Sequence, residues 1–356
     1  MDTFGRNLRA TCAGESHGPA VGGIVDGVPP GLPLRTEDIQ RALDRRRPGT
    51  APWTSPRREP DTVEVLSGVL EGTTTGMPVM MMVRNADARD EEYPEGPVRP
   101  SHGDLVYHQR FGVVAPGGGR YSGRETVSRV CAGAVARAVL APLGIIIQSH
   151  IAAIGTVKDP LDMDGLDKLT AFGTHAKETA QAMQAEVLSA KDEGDSVGGV
   201  VEVVVTNVPP GLGSPVAGKL DADLASACMS IGGIKGVELG AGFAATRMRG
   251  SEHNDPYHLV DGEVCPATNN AGGVIAGIST GAPLVVRMAV KPTATIAKPQ
   301  DTVDLATGEE TSVTFGGRHD PCLVPRLRYV AEAMVALVLA DHVLDPVWQR
   351  TRSRNE

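Results

Sequence analysis

The sequence predicts an α+β fold, a β-α-β sandwich in which a helical layer lies between antiparallel sheets. Two segments, residues 125–140 and 325–344, are long and apolar enough to be helices buried between other layers. Runs rich in β-branched residues supply the strands, most clearly residues 79–83 and 284–290. The sequence has no regular βαβ alternation with a dinucleotide-binding fingerprint. Helices covered by sheets are the simplest way to bury both kinds of element.

One phrase occurs twice, about half a chain apart. Residues 21–32 read VGGIVDGVPPGL, and residues 197–212 read VGGVVEVVVTNVPPGL. In both copies a strand meets a Pro-Pro-Gly turn, and a predicted helix follows at residues 36–45 and 220–229.

Two further echoes keep the same order along the chain. GTTTGMPV at residues 72–79 resembles GISTGAPL at residues 277–284, and GGR occurs at residues 118–120 and 316–318. Chance repetition of short Gly/Pro phrases is the alternative explanation. Three echoes in one order favour a single domain, residues 1–356, made of two similar halves at about 1–150 and 195–345 and related by a pseudo-twofold axis.

The composition is that of a folded globular protein. Hydrophobic residues make up 41% and charged residues 22% of the 356 residues, which supplies a large core. A net charge of −9 argues against a nucleic-acid or membrane-surface partner, and no apolar run reaches the ~20 residues of a membrane span. The five cysteines form no C-x-x-C pair, which disfavours disulfide scaffolds and zinc ribbons and favours a reducing cytoplasm.

Basic residues are unevenly distributed. Residues 1–137 hold 17 arginines, 17 acids and no lysine, whereas the rest of the chain carries the whole negative excess. Guanidinium groups hold phosphate and carboxylate oxygens in pairs. This arginine-only segment indicates a small polyanionic ligand; a high genomic GC content, which turns lysine into arginine everywhere, is the alternative.

Two glycine-flanked histidines stand in turn-rich loops. GESHG at residues 14–18 carries His17, and RPSHGD at residues 99–104 carries His102. Imidazoles suit proton transfer at neutral pH. Neither histidine has a second ligand at i+3 or i+4, so we expect no metal. GESHG also satisfies the G-x-S-x-G pattern of a hydrolase elbow, although barely one strand precedes it; a simple turn with a buried polar pair is the other alternative.

The strongest anion-binding candidate is GGGRYSGRET at residues 117–126, a glycine loop with two arginines that opens onto a helix. Free amides at the helix start, the positive end of its dipole and two guanidinium groups would converge on a phosphate or carboxylate. The G-K-[ST] ending of a nucleotide P-loop is missing, and a plain glycine turn is the alternative. DRRRPG at residues 44–49 is either a further ligand contact or a solvated charge run.

Two segments of the second half could hold a phosphorylated cofactor. GGRHDPC at residues 316–322 places an arginine and a carboxylate ahead of the last long helix, and KPTAT at residues 291–295 offers a cation with two hydroxyls after a strand. Cys322 is interpreted as a packing cysteine, because no histidine with an orienting partner is legible beside it.

Taken in order, these motifs resemble those of the chorismate synthases. GESHG, DRRRPG, RPSHGD, GGGRYSGRET, MSIGGIKGVE, NNAGG, KPT and GRHDPC follow one another as in that family, over about residues 11–342. The resemblance implies conversion of 5-enolpyruvylshikimate 3-phosphate to chorismate plus phosphate by an anti 1,4-elimination, the last common step to the aromatic amino acids. It also implies reduced FMN as the obligatory cofactor, an association with NADP, and a homotetramer. No separate reductase domain is evident in the sequence, so we expect an external flavin reductant.

The same resemblance assigns roles to individual residues. His17 would protonate the leaving phosphate, His102 would hold the charge state of the flavin near N1, and Asp320 would assist proton removal through flavin N5. Arg46, Arg99 and Arg124 would bind the substrate anions. The positions that match the flavin-contacting segments are Arg120, Tyr121, Ser122, Gly232, Gly233, Ala276, Lys291, Pro292, Thr293, Ala294, Thr295 and Arg318.

Three positions depart from the usual family pattern. Gly232-Gly233 replaces a common Asn-Ala, and Tyr121 replaces a common serine. Pro52 stands where the family often has an arginine after the DRRRPG segment. A flavin-phosphate binding protein without catalysis is therefore the competing class, and a serine hydrolase is the third.

Overall fold

A computed structural model describes residues 2–49, 51–55, 57, 59–86, 96–260, 262–315 and 319–355 of the chain, without the side chains of Glu263, Arg354 and Asn355. The strands are β1 (Thr3–Phe4), β2 (Arg9–Gly14), β3 (Ala20–Asp26), β4 (Val63–Ser67), β5 (Val69–Leu70), β6 (Thr73–Thr74), β7 (Val79–Arg84), β8 (Ile146–Ile154), β9 (Val157–Lys158), β10 (Gly199–Thr206), β11 (Ile234–Leu239), β12 (Tyr257–Val260), β13 (Glu263–Pro266), β14 (Val274–Ile275), β15 (Ile278–Ser279), β16 (Leu284–Val290), β17 (Gln300–Asp304) and β18 (Glu309–Val313). The α-helices are α1 (Thr36–Arg46), α2 (Asp104–Phe111), α3 (Thr126–Leu140), α4 (Lys177–Asp192), α5 (Leu220–Met229), α6 (Gly250–His253), α7 (Val324–Val343) and α8 (Pro346–Asn355). Short 3₁₀ segments are Pro116–Tyr121, Gly123–Glu125, Ala141–Leu143, Met163–Lys168 and Gly242–Arg247.

Two five-stranded antiparallel sheets form the outer layers. The first has the order β1-β2-β3-β7-β4, and the second has the order β11-β16-β10-β8-β9. Alternation of side chains places one face of each strand in the core: on β7, Val79, Met81 and Val83 are buried while Met80 and Arg84 are exposed. Pairs of short strands form separate hairpins, β5-β6, β12-β13, β14-β15 and β17-β18.

The long helices fill the space between the sheets. Helix α3 packs on the first sheet, α7 packs on the second, and the two helices pack against each other. They pack tightly at Gly133, where a Cβ would lie 2.4 Å from the Cβ of Ala333. By length and composition, the apolar segment around α3 could cross a membrane, but 72% of its apolar window is buried inside the fold. The α+β sandwich that the sequence predicts is therefore confirmed.

The strands and helices follow the same order twice. In the first sheet β2, β3, β4 and β7 pair as β2-β3-β7-β4; in the second, β8, β10, β11 and β16 pair as β8-β10-β16-β11. Helix α1 follows β3 as α5 follows β10, and α3 follows β7 as α7 follows β16. The four helices and the strands at residues 79–83 and 284–290 lie within two residues of their predicted bounds. The division into halves at about 1–150 and 195–345 stays a prediction.

The segments that follow β7 and β16 bring the two halves together. The β17-β18 hairpin attaches to the chain after β7, because the Val98 N–H donates to the Val303 carbonyl at 3.2 Å and Pro97 bridges to Asp304. The ammonium group of Lys291 donates to the Ser101 carbonyl at 2.7 Å. These contacts place residues 96–126 beside residues 291–315 and 319–323.

Candidate active site

A cavity of about 510 Å³ opens where these two segments meet. Eight of the described residues that line it are arginine or lysine, and three are acidic. This size is usual for a small-molecule site, and the excess of cations in an acidic protein favours an anionic ligand.

The glycine loop reaches the cavity because three consecutive glycines adopt positive φ. Gly117, Gly118 and Gly119 have φ of 57°, 85° and 44°. A Cβ on Gly117 would lie 1.7 Å from Cε1 of His17, so a side chain would collide with the imidazole. The Ser16 N–H donates to the Gly119 carbonyl at 3.3 Å. The GESHG loop and the glycine loop therefore pack as one unit.

His17 lies behind this loop rather than in the cavity wall. Its ring contacts Gly117, which lines the cavity, and its Nδ1 lies 3.1 Å from Oγ of Ser16. Ser16 is buried and lines the cavity. It lies in the connection between β2 and β3, which pair as antiparallel strands. The hydrolase alternative fails here, since a nucleophile elbow needs a strand-to-helix turn in a parallel sheet.

Asp104 holds three groups of the cavity wall in place. Its carboxylate accepts two hydrogen bonds from the Arg99 guanidinium, both at 2.7 Å, and one from the Tyr121 hydroxyl at 3.0 Å. Nδ1 of His102 lies 3.3 Å from Oδ1 of the same carboxylate. The fork of Arg99 is therefore committed to an internal bidentate pair, which fixes its position.

The pKa values around Asp104 follow from this arrangement. Burial alone raises the pKa of the Asp104 carboxyl, but hydrogen bonds from Arg99 and His102 outweigh it and hold that pKa well below its usual range. Burial lowers the pKa of His102, with the Arg99 charge acting in the same direction and the bond to Asp104 opposing it. Burial and the Asp104 carboxylate raise the pKa of the Tyr121 phenol. Asp104 is thus a fixed anion, and His102 is neutral at neutral pH.

A second buried carboxylate, Asp61, anchors two more predicted arginines. Oδ2 of Asp61 accepts from Arg46 at 3.1 Å, and Oδ1 accepts from Arg124. Arg46 also donates to Thr126 Oγ1 at 3.0 Å and to the Gly123 carbonyl at 2.8 Å. Burial lowers the pKa of Arg46 to about 9, and the charge of the nearby Arg326 acts in the same direction.

Asp320, which comes from the second half of the chain, also lines the cavity. Its Oδ1 accepts from the Ser55 N–H at 2.7 Å, and its Oδ2 accepts from Arg326. The Thr293 hydroxyl donates to the backbone carbonyl of Asp320 at 2.7 Å, and this bond joins the 319–323 segment to the KPTAT segment, residues 291–295. Burial raises the pKa of the Cys322 thiol to about 12, in agreement with a packing role.

Most of the predicted flavin-contacting positions line this same cavity. They are Arg120, Tyr121, Ser122, Gly232, Gly233, Lys291, Pro292, Thr293, Ala294 and Thr295. The Arg120 guanidinium is turned toward β2, where it donates to the carbonyls of Gly14 and Cys12 at 2.9 and 3.1 Å.

One predicted flavin-contacting position, Ala276, is not brought to the cavity. Ala276, with φ of 52°, lies in the turn between β14 and β15 and does not line it. Arg318 falls outside the described residues. A backbone contact from Ala276 to a ligand in this cavity is therefore not supported within this chain.

Several residues that line the cavity were not predicted from the sequence. Arg326 pairs with Asp320, Arg129 donates to Ser230 at 2.7 Å, and His319 also lines the wall. Asp104 and Asp61, which position five of the predicted or lining groups, were not singled out either. Asp104 stood inside the RPSHGD motif, so a carboxylate two residues after a histidine was an available signal; Asp61 had none.

A layered α+β fold with an arginine-lined cavity, an adjacent imidazole and a carboxylate is typical of an enzyme that acts on a small molecule. A family model described as chorismate synthase matches residues 8–344. The chain belongs to the chorismate synthase family and is an enzyme of the lyase class.

Individual relatives agree with the family match. The chorismate synthase of Syntrophobacter fumaroxidans is 53% identical over 348 residues, covering 97% of each chain. That of Methanosarcina barkeri is 49% identical over 351 residues, covering 96% of each chain. A solved structure titled "Crystal Structure of Chorismate Synthase" has a TM-score of 0.75 at 33% identity and covers 96% of this chain and 92% of that one.

Proposed function

We propose that this chain catalyses the anti 1,4-elimination of phosphate from 5-enolpyruvylshikimate 3-phosphate to give chorismate, with reduced FMN as cofactor. The observation that carries the proposal is the cavity itself. It is lined by predicted site residues from distant parts of the chain, namely Arg46, Arg99, His102, Arg124 and Asp320. A substrate with one phosphate and two carboxylates matches the excess of cations there.

Substrate binding is assigned to arginines that the protein has already oriented. Arg46 and Arg124 share the Asp61 carboxylate, and Arg99 is held by Asp104. Such pairs preorganise the guanidinium forks before the ligand arrives, which lowers the entropy cost of binding.

The residues present fit a flavin phosphate. Gly232 leaves open space where a Cβ would stand, and the Gly233 carbonyl, at φ of 95°, accepts from the Lys291 N–H at 2.9 Å, so backbone alone faces the cavity at this point. Lys291 and Thr295 line the same cavity, and their ammonium and hydroxyl groups suit a phosphate and a polar ring edge. Reduced flavin, when bound, supplies the electron density that helps the phosphate leave. The loss of the family's asparagine amide at Gly232 is compatible with this fit.

Proton transfers are assigned to three side chains. His17, held against the glycine loop, protonates the leaving phosphate, and Gly117 leaves the imidazole within reach of the wall. Neutral His102 can take up a proton beside an anionic ring, with Asp104 supporting the resulting imidazolium. Asp320 assists removal of the substrate proton, and Ser55 and Arg326 keep its carboxylate oriented.

The setting of the enzyme is part of the same proposal. All five cysteines are free, in agreement with a reducing cytoplasm, and an external donor, with NADP as the associated nucleotide, reduces the flavin. The outer face of the first sheet exposes Ile24 and Met80, which are paired across β3 and β7. We assign this apolar row to contacts between copies in a homotetramer, which sedimentation velocity would measure.

The direct test is turnover with a supplied reductant. The purified chain, chemically reduced FMN and 5-enolpyruvylshikimate 3-phosphate should release inorganic phosphate and form chorismate, and oxidised FMN should give no product. Tight binding of both ligands without phosphate release would leave only the flavin-phosphate binding alternative. Failure to bind either ligand would overturn the assignment of the cavity.

A further inference from the structure

A cluster of two histidines and an aspartate lies outside the cavity, on the outer face of the second sheet. His150 is on β8, Asp159 follows β9, and His175 precedes α4. One ring nitrogen of each histidine and one carboxylate oxygen of Asp159 lie within 4.8 Å of one another. The connection between β8 and β10, residues 155–198, folds over the sheet and brings the three side chains together.

The hydrogen bonds of His150 leave one of its nitrogens facing an anion. His150 is fully buried, and its Nε2 lies 2.8 Å from Oε1 of Glu202. A neutral ring that donates from Nε2 has a bare lone pair on Nδ1, and this atom is buried without a hydrogen-bond partner. Oδ2 of Asp159 lies 3.6 Å from it. Two electron-rich atoms in this position require a positive charge between them.

Within the described residues, the ring of His175 makes only one hydrogen bond, and that bond is long. Its Nδ1 is buried without a hydrogen-bond partner, and its Nε2 accepts only a 3.3 Å bond from the Asp162 N–H. The backbone of His175 is nevertheless fixed, since its N–H donates to Oδ2 of Asp159 at 2.8 Å. The ring is therefore placed beside the carboxylate without being committed to another partner.

We propose that His150, Asp159 and His175 form a binding site for a divalent transition-metal ion of the zinc type. Two imidazoles and one carboxylate are a usual zinc ligand set, with a fourth position left for water. Zinc–ligand bonds of ~2.1 Å give edges of roughly 3.4 Å between tetrahedral ligands, which is close to the His150–Asp159 separation of 3.6 Å. His175 supplies the third ligand, because its ring nitrogen lies within 4.8 Å of the ligand atoms of the other two residues.

Glu202 supplies the outer support that such sites usually have. A metal-bound histidine generally donates its other ring N–H to a carboxylate, which fixes the tautomer and the ring plane. Glu202 does this for His150, and Oε2 of Glu202 is in turn held by Arg287 at 3.3 Å. The ion would tie the 155–198 connection to the sheet beneath it, away from the substrate cavity.

The test uses the untagged full-length chain, stripped with a chelator, and zinc chloride as the probe. Isothermal titration should show one zinc per chain, and cobalt should give the visible absorption of a tetrahedral site. Asp159→Asn and His175→Ala should each weaken zinc binding by about 10-fold or more, and Glu202→Gln by about 10-fold. Turnover with supplied reduced flavin should be unchanged in His175→Ala.

Controls separate this site from other sources of zinc binding. His258→Ala, an exposed histidine on β12, should bind zinc as the wild type does. His175 is only partly buried, so His175→Ala keeps the test usable if Asp159→Asn fails to fold, as circular dichroism would show. Equal zinc affinity in the wild type and His175→Ala would mean an adventitious ion only, and absence of stoichiometric zinc would mean that an imidazolium between two carboxylates fills the cluster. Either result overturns the proposal.

Discussion

The two five-stranded sheets share the same order of four strands, but the connections between equivalent strands differ greatly in length. Between β2 and β3 the first half uses residues 15–19, which carry His17 to the glycine loop. At the equivalent place between β8 and β10 the second half uses residues 155–198, which cover the outer face of its own sheet.

The cavity draws unequally on the two halves. Six of its eight described cations precede residue 130, and only Lys291 and Arg326 come from the second half. The end of α1 places Arg46 in the wall, whereas the end of α5 leads to Ser230, which accepts a bond from Arg129 of the first half. A repeated frame therefore supplies the position of the site, and one half supplies most of its anion-binding charge.

The largest expected effect is a loss of stability. It compares the buried carboxylate Asp61 of the first half with the more exposed Glu238–Arg287 ion pair of the second half. Asp61→Asn removes the shared partner of Arg46 and Arg124 in the interior and should lower the free energy of unfolding by about 3–5 kcal/mol. Glu238→Gln breaks the half-exposed pair with Arg287 and should cost less than about 1 kcal/mol. Urea denaturation followed by circular dichroism measures both. Equal losses would contradict the anchoring role of Asp61.

The next effect concerns His17 and His102, the two histidines of the first half to which we assign proton transfers. His17→Ala and His102→Ala should each slow the elimination by about 10²-fold, the usual scale for losing a general acid or base. His258→Ala, on an exposed strand of the second half, is the matched control and should keep the wild-type rate. Steady-state kinetics with chemically reduced FMN decide the matter, and near wild-type rates for both histidine variants would remove their assigned roles.

A smaller effect compares the glycines that the two halves present to the cavity. Gly117→Ala forces a Cβ into the His17 ring and keeps a positive φ, so it should cost about 1–3 kcal/mol of stability. Gly232→Ala meets open space and should change stability by less than about 0.5 kcal/mol. Thermal unfolding of the two variants side by side provides the measurement. A destabilised Gly232→Ala with an unaffected Gly117→Ala would reverse this picture of the loops.

The smallest expected effect is a pH dependence of the free energy of unfolding, which arises from His102 in the first half. Its folded pKa lies below the ordinary value of 6.5, so the unfolded chain binds more protons as the pH falls through 6.5. Stability should therefore fall on acidification between 6.5 and the lowered pKa, by at most about 1.4 kcal/mol per pH unit. His102→Asn should flatten this part of the curve in urea titrations at pH 7.5 and 5.5. An unchanged slope in the variant would show that another group is responsible.

The helices, strands and loops that could be predicted from the sequence are those that depend on neighbouring residues. The repeated strand-turn-helix phrases predicted helices at 36–45 and 220–229 and the strand at 284–290, because apolar spacing and Pro-Pro-Gly turns act over short distances. The glycine loop and the two histidine loops were visible for the same reason. Their meeting in one cavity was expected through the resemblance to a family rather than from spacing.

Other features depended on contacts between remote segments. Asp61 meets Arg124 from 63 residues away, and Ser55 donates to Asp320 from 265 residues away. The His150–Asp159–His175 cluster likewise exists only because residues 155–198 fold back over their sheet. Local propensity, turn chemistry and charge content are written along the chain, so neighbouring residues alone set the helices and strands and the arginine-rich character of residues 1–137. Which carboxylate holds which arginine, and which histidine stands behind the wall rather than in it, was decided by packing, because only the folded layers bring those atoms within bonding distance.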